Sequence, residues 1–582
     1  MLRKLSDLAP EPYDVVVLGA GGAGLSAALV AAVEGARVLI VERTQYVGGT
    51  TALSGGTTWV PGTRHGAGVG SADTLADAAG YLDRAIGERA APALRRKLLD
   101  TGPEAIDYIE AHSQVKYRAY PLHPDYLSEI AGSTVKGRAL EPLPFDGRKL
   151  GKLFALLRPP IPEFTVLGGM MVDRTDIFHL LRMRRSLASF RHAARILARH
   201  ARDRMRHPRG TRLVMGNALV ARLLYSLMRR GNVSLVVETE VEAIGRDAAG
   251  IRDVTLVQGG ARRTIGVKGG LILATGGFNR HPALRAAMLP GADADWCPGA
   301  PGHTGRAHDL ARSLGARYGA NALSHAFWAP VSVRRRPDGS NAVFPHFLMD
   351  RGKPGTVVVN AQGRRFVNET TSYHLFGIAT QERGAVPAYL VCDADALQKY
   401  GIGMVRPGGK GLEPFLADGY LTAGDTLEAL GAALGIDGKS LAETVARFNG
   451  YAKSGADPEF GRGVTAYQRN LGDASWSGPN PCLGALAKAP FYAVRLYPGD
   501  IGAATGLATD ATARVLDASG TPIAGLYAVG NDMHSAMGGV YAGPGITIGP
   551  GLVFGYIAAR DAAGRATARR DHALQSATEE HA

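Results

Sequence analysis

Residues 14–24, Asp14-Val-Val-Val-Leu-Gly19-Ala-Gly21-Gly22-Ala23-Gly24, narrow the fold more than any other stretch of the chain. Val15 to Leu18 read as a buried strand that runs into G-x-G-x-x-G and then into the apolar helix Leu25 to Val33. Arg37-Val-Leu-Ile-Val-Glu42 supplies a second strand, which ends in an acid eighteen residues after the last glycine. Each part has a physical task. Gly19 permits the tight turn, Gly21 lets the backbone approach a pyrophosphate, and Gly24 lets the helix pack closely on the strand, with Gly22 and Ala23 completing the loop. The helix N-terminus stabilises phosphate charge, and Glu42 can accept hydrogen bonds from a ribose. A bare G-x-G-x-x-G also occurs as a structural glycine turn. Strand, loop, helix, strand and acid in this register predict a dinucleotide-binding α/β unit.

That unit accounts for only part of 582 residues, so two or more domains are expected. With 46% hydrophobic and 20% charged residues the composition is that of a globular protein, not of a disordered one. Val15 to Val33 is long enough to pass for a membrane span, but its glycine and alanine punctuation suits strand, turn and helix better. The first fourteen residues contain no apolar run before Pro10, so a secretory signal is not expected. Cys297, Cys392 and Cys482 lie far apart and form no C-x-x-C pair, which supports neither a disulfide framework nor a zinc site; no metal is expected, and a reducing cytoplasm is the natural location. Much of the formal net charge of +14 comes from Arg182 to Arg209, where ten arginines and one acid are interleaved with Leu187, Phe190, Ile196 and Leu197. Such a basic amphipathic helix reads either as a solvated face or as a peripheral contact with an anionic membrane. Nucleic acid is not expected, because no recognition motif accompanies the charge.

Other stretches choose between dinucleotides. Arg43 to Gly62, RTQYVGGTTALSGGTTWVPG, is a loop of small residues that a nicotinamide domain does not require. It resembles the segment that runs under the isoalloxazine in fumarate reductase and succinate dehydrogenase-like flavoproteins. Gly269 to Phe278, GGLILATGGF, reads as a strand ending in a glycine turn, and Gly525-Leu-Tyr-Ala-Val-Gly530-Asn531 resembles the late FAD-binding strand of the same superfamily. The resemblance implies an α/β fold: a Rossmann-like FAD-binding domain built from both chain ends, with an inserted α+β substrate-capping domain. Expected bounds are 1–315 and 488–565 for the FAD domain, 316–487 for the cap, and 566–582 for a polar C-terminal tail. Beyond the fingerprint, the resemblance implies FAD contacts from Arg43, Gly49, Thr50 and Thr51, and from Ser54, Gly55 and Gly56. It adds Ala274, Thr275, Gly276 and Gly277, then Gly530 and Asn531. No histidine lies between Gly48 and Gly56, so the FAD is expected to be non-covalent.

Fumarate reductases carry a histidine before a T-M-G-G stretch and an arginine in a late N-R-L-G-G stretch, as anchors for a dicarboxylate. The corresponding regions here read Asp500-Ile-Gly-Ala-Ala-Thr505-Gly506-Leu507 and Ser535-Ala-Met-Gly-Gly-Val-Tyr541-Ala-Gly-Pro-Gly545, without either anchor. Tyr541-Ala-Gly-Pro-Gly545-Ile-Thr547-Ile548-Gly-Pro instead resembles the Y-x-G-x-G-x-T-I-G-P run of 3-ketosteroid Δ1-dehydrogenases. The N-terminal fingerprint, Asp125-Tyr126, and the Arg365-Phe366-Val-Asn368-Glu369-Thr-Thr-Ser-Tyr373 stretch, read as part of a hairpin from Gly355 onward, extend the resemblance over nearly the whole chain.

By that resemblance Tyr541 and the Gly545 N–H hydrogen-bond the 3-keto oxygen, and Tyr373 takes the C2 proton while flavin N5 takes a hydride from C1. Tyr126 assists that base, with Tyr120 as the competing assistant, and Gly545, Thr547 and Ile548 also approach the flavin. The implied partners are a 3-ketosteroid and an external electron acceptor, quinone-like or other. The D-Y element departs from the usual pattern, since Leu127-Ser-Glu129-Ile-Ala-Gly132 follows where relatives carry a proline, an acid and glycines. A relative acting at C4–C5 or on another cyclic ketone, and a fumarate reductase-type enzyme, are the alternative readings. His374, His534 and Glu369 read as structural partners.

Overall fold

A computed structural model describes residues 1–347 and 350–579, with residues 570 and 572–579 as backbone alone. The fingerprint region forms β1 (Tyr13–Leu18), α1 (Gly22–Val33) and β2 (Val38–Val41). All six residues of β1 are buried, as a strand covered on both faces requires. Gly19 supplies the turn with φ of 104°, and a Cβ there would stand 2.2 Å from the Ala274 carbonyl.

β1 and β2 lie at the centre of an eight-stranded sheet with β3 (Val233–Val236), β4 (Glu240–Asp247), β5 (Gly250–Gln258) and β6 (Ala261–Leu273). Strand β6 pairs in parallel with β1, and its other edge pairs in parallel with a strand from the far end of the chain, Pro522–Ala528, in the register Leu271 to Leu526. The last helix, Ile548–Glu579, lies across α1, and a Cβ at Gly555 would stand 3.0 Å from the Ala23 carbonyl. Both ends of the chain thus build one nucleotide-binding layer, as the sequence predicts.

The intervening chain forms a second, antiparallel sheet from β7 (Ala326–Arg335), β8 (Asn341–Pro345), β9 (Thr356–Val359), β10 (Ala388–Cys392), β11 (Thr422–Gly424) and β12 (Phe491–Ala503), in the order β8-β7-β12-β10-β9 with β11 on β12. β12 carries this sheet beyond the boundary expected at 487. The short β13 (Arg514–Leu516) and β14 (Pro522–Ala528) then return to the first sheet.

Two expectations are corrected. Residues 355–369 do not form a hairpin: β9 pairs with β10, while the chain after the Asn360–Gly363 turn follows an irregular path. Its side chains do the holding that a ladder would do, with Arg365 bonded to Glu369 at 2.8 Å and to Asp457 at 2.7 Å, and Asn368 Oδ1 accepting from the Thr370 N–H. The polar stretch from 566 is not a separate tail as far as it is described, because the last helix continues to Glu579; its alanine-rich sequence lacks a breaker, and Arg569 bonds the Lys268 carbonyl at 2.7 Å. Residues 580–582 lie outside the described residues.

The arginine-rich region folds as a helical pair, α2 (Arg174–Leu181) and α3 (Leu187–Arg204). Helix α3 buries Ala193, Ile196, His200 and Asp203 on one face. Helices α4 (Tyr373–Glu382) and α5 (Ala466–Leu471) each carry a tyrosine to the wall between the two sheets, and the last helix is α6 (Ile548–Glu579).

Candidate active site

A cavity of about 330 Å3 opens at the carboxyl ends of β1, β2 and β6, where the N-terminus of α1 points its free N–H groups. Of the residues expected at a cofactor, Gly19, Gly21, Gly22, Ala23, Glu42 and Arg43 line it. So do Gly49, Thr50, Thr51, Ser54, Gly55 and Gly56. Ala274, Thr275, Gly276, Gly530 and Asn531 close another side, and Gly545, Thr547 and Ile548 the end beside the tyrosines. Two do not reach it: a Cβ on Gly24 would stand 2.0 Å from the Gly19 carbonyl, and the Gly277 N–H donates to Asp532 at 2.8 Å. Those two glycines shape the walls.

The walls fit a dinucleotide. Nothing lies within 4 Å of where a Gly21 Cβ would sit, so the backbone there is open to a bound phosphate. Glu42 accepts from the Ala20 N–H at 3.0 Å and from Thr44, which fixes its carboxylate at the end of β2. Asp532, fully buried, accepts from Thr275, the Gly277 N–H and His308; burial works against its charge, yet these donors hold its carboxyl below the usual range and lock the 275–277 turn to α1's mouth. His303 also lines the cavity. Burial pushes its imidazole down to about 4, and its Nε2 meets the Thr50 hydroxyl, another residue of the lining, at 3.4 Å. His303 and Arg158 escape sequence reading: the G-H-T-G at 302–305 signals only a helix start, and Arg158 sits in no motif.

At the far end of the cavity three aromatic residues from three segments converge. The Tyr126 hydroxyl donates to the Tyr373 hydroxyl at 3.2 Å. The Tyr126 ring stacks on Tyr541 at 5.5 Å and 12°, while Tyr373 meets Tyr541 edge-on at 4.9 Å. Tyr126 is fixed from behind by its neighbour: buried Asp125 accepts from Trp59 Nε1 at 2.9 Å and pairs with Arg138 at 2.7 Å. Burial lifts the Asp125 carboxyl to about 6 against the pull of Arg138. The Tyr126 backbone N–H donates to the Ala542 carbonyl, as does the Tyr81 hydroxyl, which ties Tyr126 to the 541–545 turn. Tyr120, the alternative assistant, instead meets Thr57 at 3.3 Å and does not line the cavity.

Tyr373 sits at the first position of α4, whose start is capped by Ser372. Gly545 has φ of 92°, and a Cβ would stand 2.3 Å from the Thr57 carbonyl, so only glycine fits. Its N–H makes no hydrogen bond among the described residues and remains available beside Tyr541. Burial raises all three tyrosine hydroxyls above their ordinary range. His374 and Glu369 are engaged elsewhere: His374 joins the Trp328 N–H to the Gly539 carbonyl, and Glu369 is held by Arg365 and Arg462. Among the described residues no cluster of His, Cys, Asp and Glu is arranged to hold a metal, and no helix is long and apolar enough to cross a membrane.

The sequence profile of the FAD binding domain family matches residues 14–548. Over 96% of its length the chain is 38% identical to 4-oxocyclohex-2-ene-1-carboxylate 5-dehydrogenase of Sinomonas cyclohexanicum, covering 95% of that protein. It is 34% identical to 3-oxosteroid 1-dehydrogenase of Mycolicibacterium smegmatis, covering 96% of this chain and 99% of the relative. The fold superposes on the crystal structure of 3-ketosteroid delta1-dehydrogenase from Sterolibacterium denitrificans in complex with 1,4-androstadiene-3,17-dione with a TM-score of 0.88, at 32% identity, covering 95% of this chain and 99% of that one.

Proposed function

The chain belongs to the FAD binding domain family of flavoproteins and is an FAD oxidoreductase, and from that premise we propose that it removes two hydrogens across C1–C2 of a 3-ketosteroid. The observation that carries this reading is the Tyr126–Tyr373 hydroxyl contact at 3.2 Å, facing Tyr541 and the Gly545 N–H at one end of the cavity. FAD, when bound, accepts the hydride equivalent. The Tyr541 hydroxyl and the Gly545 N–H hold the ketone oxygen, where negative charge grows as the neighbouring carbon loses its proton; such donors typically contribute about 3 kcal/mol each to the transition state. Tyr373 takes that proton and Tyr126, donating to it, steadies the phenolate. Residues 1–315 and 504–579 would hold the cofactor, with 316–503 as the cap. The segment between Gly48 and Gly56 offers no histidine or cysteine, which supports non-covalent FAD.

The ligand end of the cavity favours a neutral ketone. Among the described residues the cations lining it, Arg43, Arg158 and Arg306, stand with Glu42, Thr44 and Thr304 at the nucleotide end. His123, beside Tyr126, is pushed by burial to about 4 and is uncharged near neutrality. Among the described residues that line that end, none offers a substrate carboxylate a charged partner. One observation favours a second reading, dehydrogenation of a cyclic oxo-carboxylate: the 38% identity to the Sinomonas enzyme. Anaerobic mixing with an androstenedione-type ketone and, separately, with 4-oxocyclohex-2-ene-1-carboxylate decides between them. The first is expected to bleach the oxidised flavin and to yield a C1–C2 double bond; bleaching by the oxo-acid alone would reject the steroid.

We also infer that the α2–α3 pair rests on an anionic membrane surface. What supports this is that Ile177, Phe178, Leu181, Leu187 and Phe190 are exposed among exposed Arg184, Arg191, Arg195 and Arg202. Exposed Leu167, whose carbonyl meets His200 of α3 at 2.9 Å, adds to this apolar surface.

A further inference from the structure

Tyrosine at its ordinary pKa of about 10 leaves roughly one molecule in a thousand ionised near pH 7, and burial makes that worse. Whatever proton Tyr373 takes, the cluster must bear a negative charge first. A fixed positive charge that acts on Tyr126 is that of Arg351, which has no solvent exposure. Among the described residues its guanidinium donates only to backbone carbonyls: those of His346 at 3.1 Å, Thr371 at 2.8 Å, Phe347 at 3.4 Å and Glu369. No carboxylate among the described residues lies within 4.0 Å of it. A buried cation with no carboxylate in ion-pair contact is costly; the groups whose charge acts on it are the Tyr467 and Tyr126 hydroxyls and the carboxylate of its neighbour Asp350.

The carbonyls that hold it belong to the base's own surroundings. Thr371 lies two residues before Tyr373, and Phe347 packs edge-on against the Tyr373 ring at 4.9 Å. The guanidinium acts on the hydroxyl of Tyr467 on α5, whose ring lies 4.6 Å from that of Tyr126. The two are close enough to act on each other, though no hydrogen bond of good geometry joins them. Other charged groups packed here are matched: Asp350 meets His346 at 2.6 Å, and Glu369 meets Arg365 at 2.8 Å and Arg462 at 3.3 Å. His374, beneath Tyr541, and His123, beside Tyr126, are both held uncharged by burial.

We propose that Arg351 is the counter-cation of the active-site tyrosines, a positioning residue whose charge, relayed through the Tyr467 hydroxyl, offsets the negative charge that Tyr126 and, through their hydroxyl contact, Tyr373 share before the substrate proton is taken and that is discharged when Tyr373 takes it. The proposal rests on the dehydrogenase reading for its purpose, though not for its electrostatics. Burial lifts the Tyr467 hydroxyl to about 12 and Tyr126 higher, and Arg351 pulls both back.

The test uses flavin-loaded wild type, Arg351→Gln, Arg351→Lys and Tyr467→Phe. Two readouts are taken against pH: the rate of anaerobic flavin reduction by the ketone, and tyrosinate absorbance of the oxidised holoenzyme. Arg351→Gln is expected to shift both midpoints upward by at least about one unit, hence to slow reduction at neutral pH about tenfold or more. Arg351→Lys is expected to keep the wild-type midpoints. Wild-type midpoints in folded Arg351→Gln would overturn the proposal, as would an Arg351→Lys shift as large as that of Arg351→Gln, which would make the arginine a packing element. If Arg351→Gln does not take up flavin, Tyr467→Phe decides: an upward shift supports the relay, and no shift overturns it. Wild-type flavin that no ketone reduces would sink the dehydrogenase reading alone, since the tyrosinate titration still judges Arg351.

Discussion

Tyr373 and Tyr541 touch the same space but are asked for different things, and phenylalanine substitutions separate them. Tyr373→Phe removes the group proposed as base, so flavin binding is expected to persist while turnover falls by about 10²- to 10⁴-fold, read by anaerobic flavin reduction. Tyr541→Phe removes one of two donors to the ketone oxygen and is expected to cost about 10²- to 10³-fold, with the Gly545 N–H still in place. Equal activity of Tyr373→Phe and wild type would remove Tyr373 from the mechanism. These residues are legible in the sequence because each sits in a short motif with a resemblance. Arg351, Tyr467 and His303 are not, because what each meets at the site comes from segments far apart in the chain, Tyr467 for Arg351, Tyr126 for Tyr467 and Thr50 for His303, and a lone arginine, tyrosine or histidine carries no local pattern.

Elements differ in how well their sequence announces them. The strand, glycine turn and helix around Gly19 appear as predicted because hydrophobic period and turn chemistry agree there. The stretch after Asn360 reads as a hairpin from its apolar-then-polar pattern, yet buried ion pairs of Arg365 outweigh strand propensity, and Tyr373 is delivered by a helix start instead of a strand end. The α2–α3 pair makes its own prediction. Because Arg199 is tied to Asp146 at 2.9 Å, the variant to use is Arg191→Glu with Arg195→Glu and Arg202→Glu, all exposed positions. It is expected to lose sedimentation with vesicles containing anionic lipid while wild type sediments, and salt is expected to weaken the wild-type binding. Equal sedimentation of both proteins, or none by wild type, would leave α3 as a solvated face.

For the whole molecule, acid is the revealing perturbation. Burial pushes His303 and His374 down to about 4, against an ordinary 6.5. The folded chain therefore refuses protons that the unfolded chain accepts. The stabilisation from each is full above pH 6.5 and is lost as the pH falls through about 4; near pH 5 each costs about 2 kcal/mol. The unfolding temperature is expected to fall steadily over that interval, and a level or rising value in a calorimetric pH series would contradict the burial described. The two-layer plan and the use of both chain ends were readable in advance because the fingerprint and the Gly525–Asn531 strand are local signals of one domain. Domain edges were not, since β12 runs without a break from one sheet's territory toward the other.

That sharing of one sheet between the two chain ends governs when the site can come into being. On the ribosome, β1, β2 and β6 are complete once residue 273 has emerged, but the edge of β6 must wait for residues 526–528, and α1 must wait for the last helix to cover it. Over some 250 intervening residues the growing chain carries an apolar strand with an open edge, the kind of surface that chaperones bind and that neighbouring nascent chains can pair with. Uptake of the flavin in consequence waits until residues 526–528 and the helix from Ile548 have emerged.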